Sequence, residues 1–400
     1  METKEHNNQW SLIHTDNGEW ISDEYAVFVS QSVATQLKAI AEQQGKDLNI
    51  QHWTDGKLWC YRHELEAIDL TNTGKENVKF KIKTMAQENY KHYHCENVCK
   101  SDKPFKRAAR SKQSWFREEY LKAGFDPSNK YGQYGAFLLP EDANLGFNFY
   151  EGFRSEILSA INKRYPKLST EDHDGLYANM LRSEHIPWNI FIPMQTDLQA
   201  TAKVFNDIIG ESIIDEITDI RIEWAPEKTQ CLNDRTSFDT YVEFKHKGKL
   251  GGIGIEIKYT EEGYRMGKTE RHEVMENDQS RYAIVTRNCG LFKQDIANKP
   301  IRDTKLCKDE FRQIWRNHIL GESMVMNHML DRFYSITLYP SGNPHFTDYL
   351  PKYKEFLTEY GISTFKFITY EWLIERLKVH FSNNTKAQAW IEYLQTRYPF

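Results

Sequence analysis

The strongest constraint on this 400-residue chain is a pair of short apolar segments in its third quarter. Ser237-Phe238-Asp239-Thr240-Tyr241-Val242-Glu243-Phe244 is rich in β-branched and aromatic residues. Ile253-Gly254-Ile255-Glu256-Ile257-Lys258 alternates strictly, with three isoleucines on one side and Gly254, Glu256 and Lys258 on the other. A period of two is the signature of a strand with one buried face. Between the segments, Lys245-His246-Lys247-Gly248-Lys249 is polar and carries a glycine, as a hairpin turn does. The two segments therefore read as neighbouring antiparallel strands that bring Asp239, Glu256 and Lys258 together.

Two carboxylates held that close favour a divalent cation between them. An ammonium beside them can orient a water or neutralise charge on a phosphate. The bland alternative is a cross-strand ion pair on an exposed face, with Gly251-Gly252 as a turn. The pattern resembles the PD-(D/E)XK nuclease superfamily, in which an acid opens one strand and a (D/E)-x-K triplet lies on the next. Here Asp239 matches the first acid and Glu256-Ile257-Lys258 the triplet, while Phe238 stands where the family has proline. Asn233–Asp239, Gly251–Tyr259 and Ser183–Phe191 are similar to a restriction-endonuclease-like bacterial branch, over roughly residues 140–400.

The resemblance implies that Asp239, Glu256 and the Ile257 carbonyl bind Mg²⁺ or Mn²⁺, and that Lys258 holds the attacking water. It also nominates supporting residues: an acid from the first core helix (Glu151 or Glu156), Glu184 and Asn189 from the Ser183–Phe191 stretch, and Gln279 on a later helix. The solvated-helix reading of Glu156 is the simpler one. Arg235, just before the first motif strand, would grip a phosphate. The implied reaction is hydrolysis of DNA phosphodiester bonds, endonucleolytic rather than exonucleolytic, in restriction or anti-phage defence. The alternatives are a non-cleaving nucleic-acid-binding protein on the same fold, and a repair or recombination nuclease.

Net charge is only −5, so the whole chain does not advertise a polyanionic partner. Charge is uneven, however: Lys75 to Lys122 holds 13 Lys/Arg against 6 Asp/Glu, interleaved with seven aromatics from Phe80 to Tyr120. Such a stretch can track phosphates and stack on bases, with Lys103, Lys106, Arg107 and Arg110 as contacts. An ordinary solvated surface explains it equally well. The polar opening residues contain no signal-peptide core, and no apolar run is long enough to span a bilayer. Six scattered cysteines fit a reducing compartment. These features predict a cytoplasmic protein without a membrane partner, and the resemblance adds DNA, a homodimer or a partner protein of a defence system as its partners. Cys60, His63, His92, His94, Cys95 and Cys99 offer zinc ligands, but their spacing matches no finger, and zinc is not expected.

Punctuation divides the chain in two. Residues 1–135 read as an α+β module: a strand over 25–29, a helix over 33–44 closed by Gly45, a hairpin around Asp55-Gly56, and a strand over 78–83. A run of glycines and prolines between 124 and 146 reads as the junction. From 140 to 400 the pattern predicts an α/β, restriction-endonuclease-like core, a mixed central sheet flanked by helices with further C-terminal elements. Its parts are a helix from Tyr150 with a stripe at Phe153, Ile157, Ile161 and Tyr165, a helical stretch over 176–181, a short strand or buried turn at Trp188–Phe191, and a helix over 198–209. A strand over 219–224 and the two motif strands follow. Then come helices over 270–282 and 311–329, a strand over 333–339, a helix over 352–360, a strand over 364–368 and a helix over 370–378.

Overall fold

A computed structural model describes residues 13–14, 20–21, 26–29, 31–52, 58–61, 64, 68, 99–125, 127–234, 236–263, 267–382 and 384–399. The chain forms two compact units that divide between Ser111 and Lys112. The division precedes the glycine- and proline-rich stretch expected to be the junction. That stretch belongs to the second unit, where it makes turns and short helices. Gly135 (φ 82°) ends the 3₁₀ turn Gly132–Tyr134, and Pro140 opens the helix Pro140–Asn144.

The first unit contains the paired strands β1 (Ile13–His14) and β2 (Trp20–Ile21) and a three-stranded sheet. In that sheet β5 (Leu58–Tyr61) lies between β3 (Ala26–Val29) and β4 (Gln51–His52), antiparallel to both. Helix α1 (Gln31–Gln43) buries Ala34, Leu37 and Ala41 in a small core with Leu48, Leu58, Cys60 and Ile68. The expected strand over 78–83 and the Asp55-Gly56 turn lie outside the described residues. Helix α2 spans Pro104–Trp115.

The second unit is built on a five-stranded mixed sheet in the order β10-β9-β8-β7-β6. Strands β6 (Glu216–Trp224), β7 (Phe238–His246) and β8 (Lys249–Ile257) form an antiparallel meander. Strands β9 (Arg332–Tyr339) and β10 (Phe365–Thr369) continue it in parallel. The β7–β8 turn is two residues, Lys247 (φ 49°) and Gly248 (φ 78°); two left-handed residues match the twist of a hairpin. Ile253, Ile255 and Ile257 are buried, each contributing about 1.5–3 kcal/mol.

Helices cover both faces. Helix α3 (Arg154–Arg164) buries Ile157 and Ile161, following its predicted stripe. Helices α4 (Ile186–Met194) and α5 (Leu198–Ile209) pack against β6. Helix α7 (Asp309–Met326) packs against β8 and β9, with α6 (Arg281–Asn288) beside it. Its close approach needs glycine: a Cβ at Gly321 would run into the Phe333 ring, and one at Gly254 would meet Phe238 and Phe333. Helices α8 (Pro344–Lys354), α9 (Tyr370–His380) and α10 (Thr385–Arg397) complete the unit. Order and direction (α5, the meander, α7, then a parallel β9) give the α/β core expected of a restriction-endonuclease-like fold.

Four local expectations differ. Trp188–Phe191 is helical, within α4, whose nine residues are all buried. A fully buried apolar run has no polar face to reveal its period. Residues 174–178 make a π turn, and an extended Asn179 (ψ 103°) ends it within the stretch read as helix over 176–181. The helix over 270–282 breaks at Asn277 (ψ 98°), because Ser280 caps α6 through Ala283 N–H. The helix over 352–360 is instead two, α8 and Glu359–Thr364, the second capped by Thr358.

Candidate active site

The register of the meander sets one row across three strands. Ile222 pairs with Thr240 and Trp224 with Phe238, so Glu223 falls opposite Asp239. Thr240 pairs with Ile255, so Asp239 falls opposite Glu256, and Glu256 pairs onward with Thr337. At this end the β7–β8 ladder opens. The Ile257 N–H donates to an Asp239 carboxylate oxygen at 2.6 Å instead of continuing the backbone pairing.

Glu256 is 3% exposed and Lys258 7%. A buried charge is tolerable only when paired. The Lys258 ammonium contacts one Glu256 oxygen, and the Asn317 side-chain amide of α7 donates to the other. The Lys258 backbone is fixed twice: its N–H donates to Leu338 O at 2.9 Å, and its carbonyl accepts the Tyr370 hydroxyl at 2.6 Å. Burial alone would lower the Lys258 ammonium, but Glu256, Asp239 and Glu261 hold it above its ordinary value. Lysine is therefore cationic here.

The carboxylates push one another the other way. Burial, then the charges of Glu256 and Glu223, raise Asp239 well above the carboxylate range, against Lys258 and the Ile257 N–H. Glu223, half-buried, is raised to about 7 by burial and by Glu256 and Glu184. Glu184 is also raised, by burial foremost, against the Arg182 guanidinium 2.5 Å away. Its placement follows from Glu261, whose two oxygens accept the Ser183 N–H (2.6 Å) and the Tyr259 N–H (2.8 Å). The segment carrying Glu184 is thus pinned to the residue after Lys258. Tyr165, read as a core position, is half-buried after the end of α3, and its phenol feels the charges of Glu223, Glu184 and Asp239.

Other nominated residues lie elsewhere. Glu156 is exposed on α3, accepting the Ser155 hydroxyl at 2.6 Å with Lys386 3.8 Å away. Asn189 is fully buried and its amide is spent on the fold, donating to Asn148 O and the Tyr398 hydroxyl and accepting the Tyr150 N–H. Gln279 sits exposed in the turn before α6. Arg235 lies outside the described residues. Arg110 is 8% exposed and forks onto Asp102 (2.6 and 3.2 Å), so it belongs to an internal ion pair. Arg107 donates to Asp102 O, and Lys103 is exposed. Of the zinc candidates, Cys60 is buried, its thiol pushed up to about 12 by burial and Glu64, and Cys99 sits 3.3 Å from Ser101 Oγ; the others lie outside the described residues.

Among the described residues, no three His, Cys, Asp or Glu side chains converge into a ready-made metal cage. The donor set still fits a hard cation of the Mg²⁺ type. Such an ion is held by one or two carboxylates plus water and substrate oxygens, and its charge would relieve the mutual repulsion that raises Asp239 and Glu223. Glu223 escaped the sequence reading because no motif marks it; only the β6–β7 register reveals it.

A family model described as the PD-(D/E)XK nuclease superfamily matches residues 100–400. No curated protein and no solved structure matches the chain. Proteins of the superfamily generally use divalent metals, as the donor set suggests. With three quarters of its length matched, and a mixed five-stranded sheet flanked by helices consistent with the fold, the chain belongs to the PD-(D/E)XK nuclease superfamily.

Proposed function

We propose that this protein is a Mg²⁺- or Mn²⁺-dependent endonuclease that hydrolyses phosphodiester bonds in DNA, in restriction or anti-phage defence. The observation that carries the reading is the placement of Asp239, Glu256 and Lys258 at the open end of the β7–β8 ladder. Asp239, Glu256 and the Ile257 carbonyl would hold the cation. Bound there, it would polarise the scissile phosphate and lower the pKa of the attacking water. Lys258 contributes a fixed positive charge. In the resting protein that charge neutralises Glu256; an arriving phosphate offers the ammonium a second anionic partner. From there it orients the nucleophile and offsets charge developing on phosphorus oxygens. Asn317 keeps Glu256 aimed, and Tyr370 keeps the Lys258 backbone in place. The defence role rests on the bacterial branch that the motif stretches resemble.

The first unit, which ends at Ser111 and so is shorter than the expected 1–135, we read as a nucleic-acid-binding or regulatory module. No helix among the described residues is long and apolar enough to cross a membrane.

The assignment of roles is tested by separating binding from cleavage. Glu256→Ala should lose both Mg²⁺ binding by calorimetry and cleavage. Lys258→Ala should lose cleavage by at least about a hundredfold while still binding DNA in Ca²⁺. Equal loss of DNA binding in both variants would make Lys258 a phosphate anchor instead.

A further inference from the structure

The conformation of Glu223 is unusual. It lies within β6, flanked by residues in regular register with β7, yet its φ is +54°. A non-glycine residue rarely adopts left-handed backbone, least of all inside a strand. The consequence is visible in its neighbours. Arg221 and Trp224 are three residues apart and should face opposite sides. Instead the Arg221 guanidinium lies 5.1 Å from the Trp224 ring, and both stack with Tyr241. The left-handed backbone at Glu223 turns the strand there without inserting a residue, since Ile222 and Trp224 keep their partners Thr240 and Phe238. The conformation is clamped from outside: the Arg164 guanidinium donates two hydrogen bonds, 2.9 and 2.7 Å, to the Glu223 carbonyl. The carboxylate itself takes no hydrogen bond or ion pair among the described residues.

A left-handed backbone and a half-buried carboxylate with no hydrogen-bonded partner among the described residues are costs to the fold, which the charges of Arg164 and Lys258 offset only in part. Glycine at 223 would suit the φ, and an apolar residue would suit the burial. They acquire value if the carboxylate serves the row it completes with Asp239 and Glu256. This inference rests on the metal-dependent reading above and extends it. We propose that Glu223 is a positioning residue of the metal centre, supporting from β6 the cation that Asp239 and Glu256 would hold. Mg²⁺ keeps several waters and is seldom caged by protein alone, which fits a third carboxylate that stands in the row without converging on it.

Mn²⁺ titration of the full-length protein by calorimetry, without DNA, tests this on three variants: Glu223→Gln, Glu223→Gly and, as control, Asp239→Asn. Glu223→Gln should weaken Mn²⁺ binding about tenfold to a hundredfold, the range for removing a group that supports a ligand from behind. Glu223→Gly should weaken it equally while melting no lower than wild type, since glycine relieves the backbone; this separates lost function from lost folding. Asp239→Asn should abolish binding. If both Glu223 variants bind Mn²⁺ like wild type while Asp239→Asn does not, the inference falls and the metal-dependent reading stands. If Asp239→Asn also binds normally, both fall.

Discussion

At the residue scale the site is governed by how four charges share one small volume. Glu256 and Lys258 neutralise each other, whereas Asp239 and Glu223 are left in excess, and the protein answers by raising their proton affinity. The consequence for stability follows from linkage. A carboxyl whose folded pKa lies above its unfolded value binds its proton more tightly in the folded state. The stability it contributes is fully present below the unfolded value and is lost as pH rises through the folded one. For Glu223 that window runs from 4.5 to about 7. The metal-free protein should therefore melt at a higher temperature at pH 5 than at pH 8, and Glu223→Gln should flatten the difference. Added Mg²⁺ should recover stability at pH 8 by mass action. Melting curves at the two pH values decide it: a metal-free protein more stable at pH 8, with no effect of Glu223→Gln, would contradict the charge assignment.

At the scale of elements, the site depends on how closely helix α7 approaches the sheet. Asn317, which holds Glu256, lies one turn before Gly321, where Phe333 of β9 occupies the space a side chain would need. Gly321→Ala should destabilise the protein by about 1–3 kcal/mol, the cost of overpacking a filled core. It should also lower activity beyond the loss of folded protein, because Asn317 moves with the helix. Denaturant midpoints and specific activity measure the two effects; an unchanged midpoint would show that the helix does not bear on the sheet there. This element also marks the limit of what could be read in advance. β7, β8 and their hairpin were legible because isoleucine alternates with glycine and glutamate along β8 and a glycine marks the turn, although β8 is buried on both faces from Gly251 to Ile257 and not on the one face its period suggested. Helix α4 was not, since its nine residues are buried all round and carry no period. Helix α10 was not read, although its Arg397 is buried among Asn148, Gln113 and Tyr393. Glu223 shows a third kind of limit: its importance lies in strand register and in one dihedral angle, neither of which a residue type encodes.

For the whole molecule, the first unit carries most of the basic stretch, Lys103, Lys106, Arg107 and Arg110 included. The positive excess between Lys75 and Lys122 first suggested four phosphate contacts. Arg110 is withdrawn from that set by Asp102, and Arg107 is partly engaged by the Asp102 carbonyl. If the stretch grips DNA, Lys103→Gln with Lys106→Gln should reduce the slope of log K against log salt by about two, and Arg110→Gln should cost stability instead. Binding measured in Ca²⁺ over a salt series checks this. An unchanged slope in the double variant would assign the first unit a regulatory or oligomerisation role.

The central claim, that the open end of the β7–β8 ladder is a metal-dependent DNA-cutting site, is tested most directly by digestion of supercoiled plasmid with purified protein. Wild type in Mg²⁺ should yield nicked and linear plasmid. The same protein in EDTA, and the Asp239→Asn variant in Mg²⁺, should leave the plasmid supercoiled. Cleavage that persists in EDTA, or in the Asp239→Asn variant, would contradict the account.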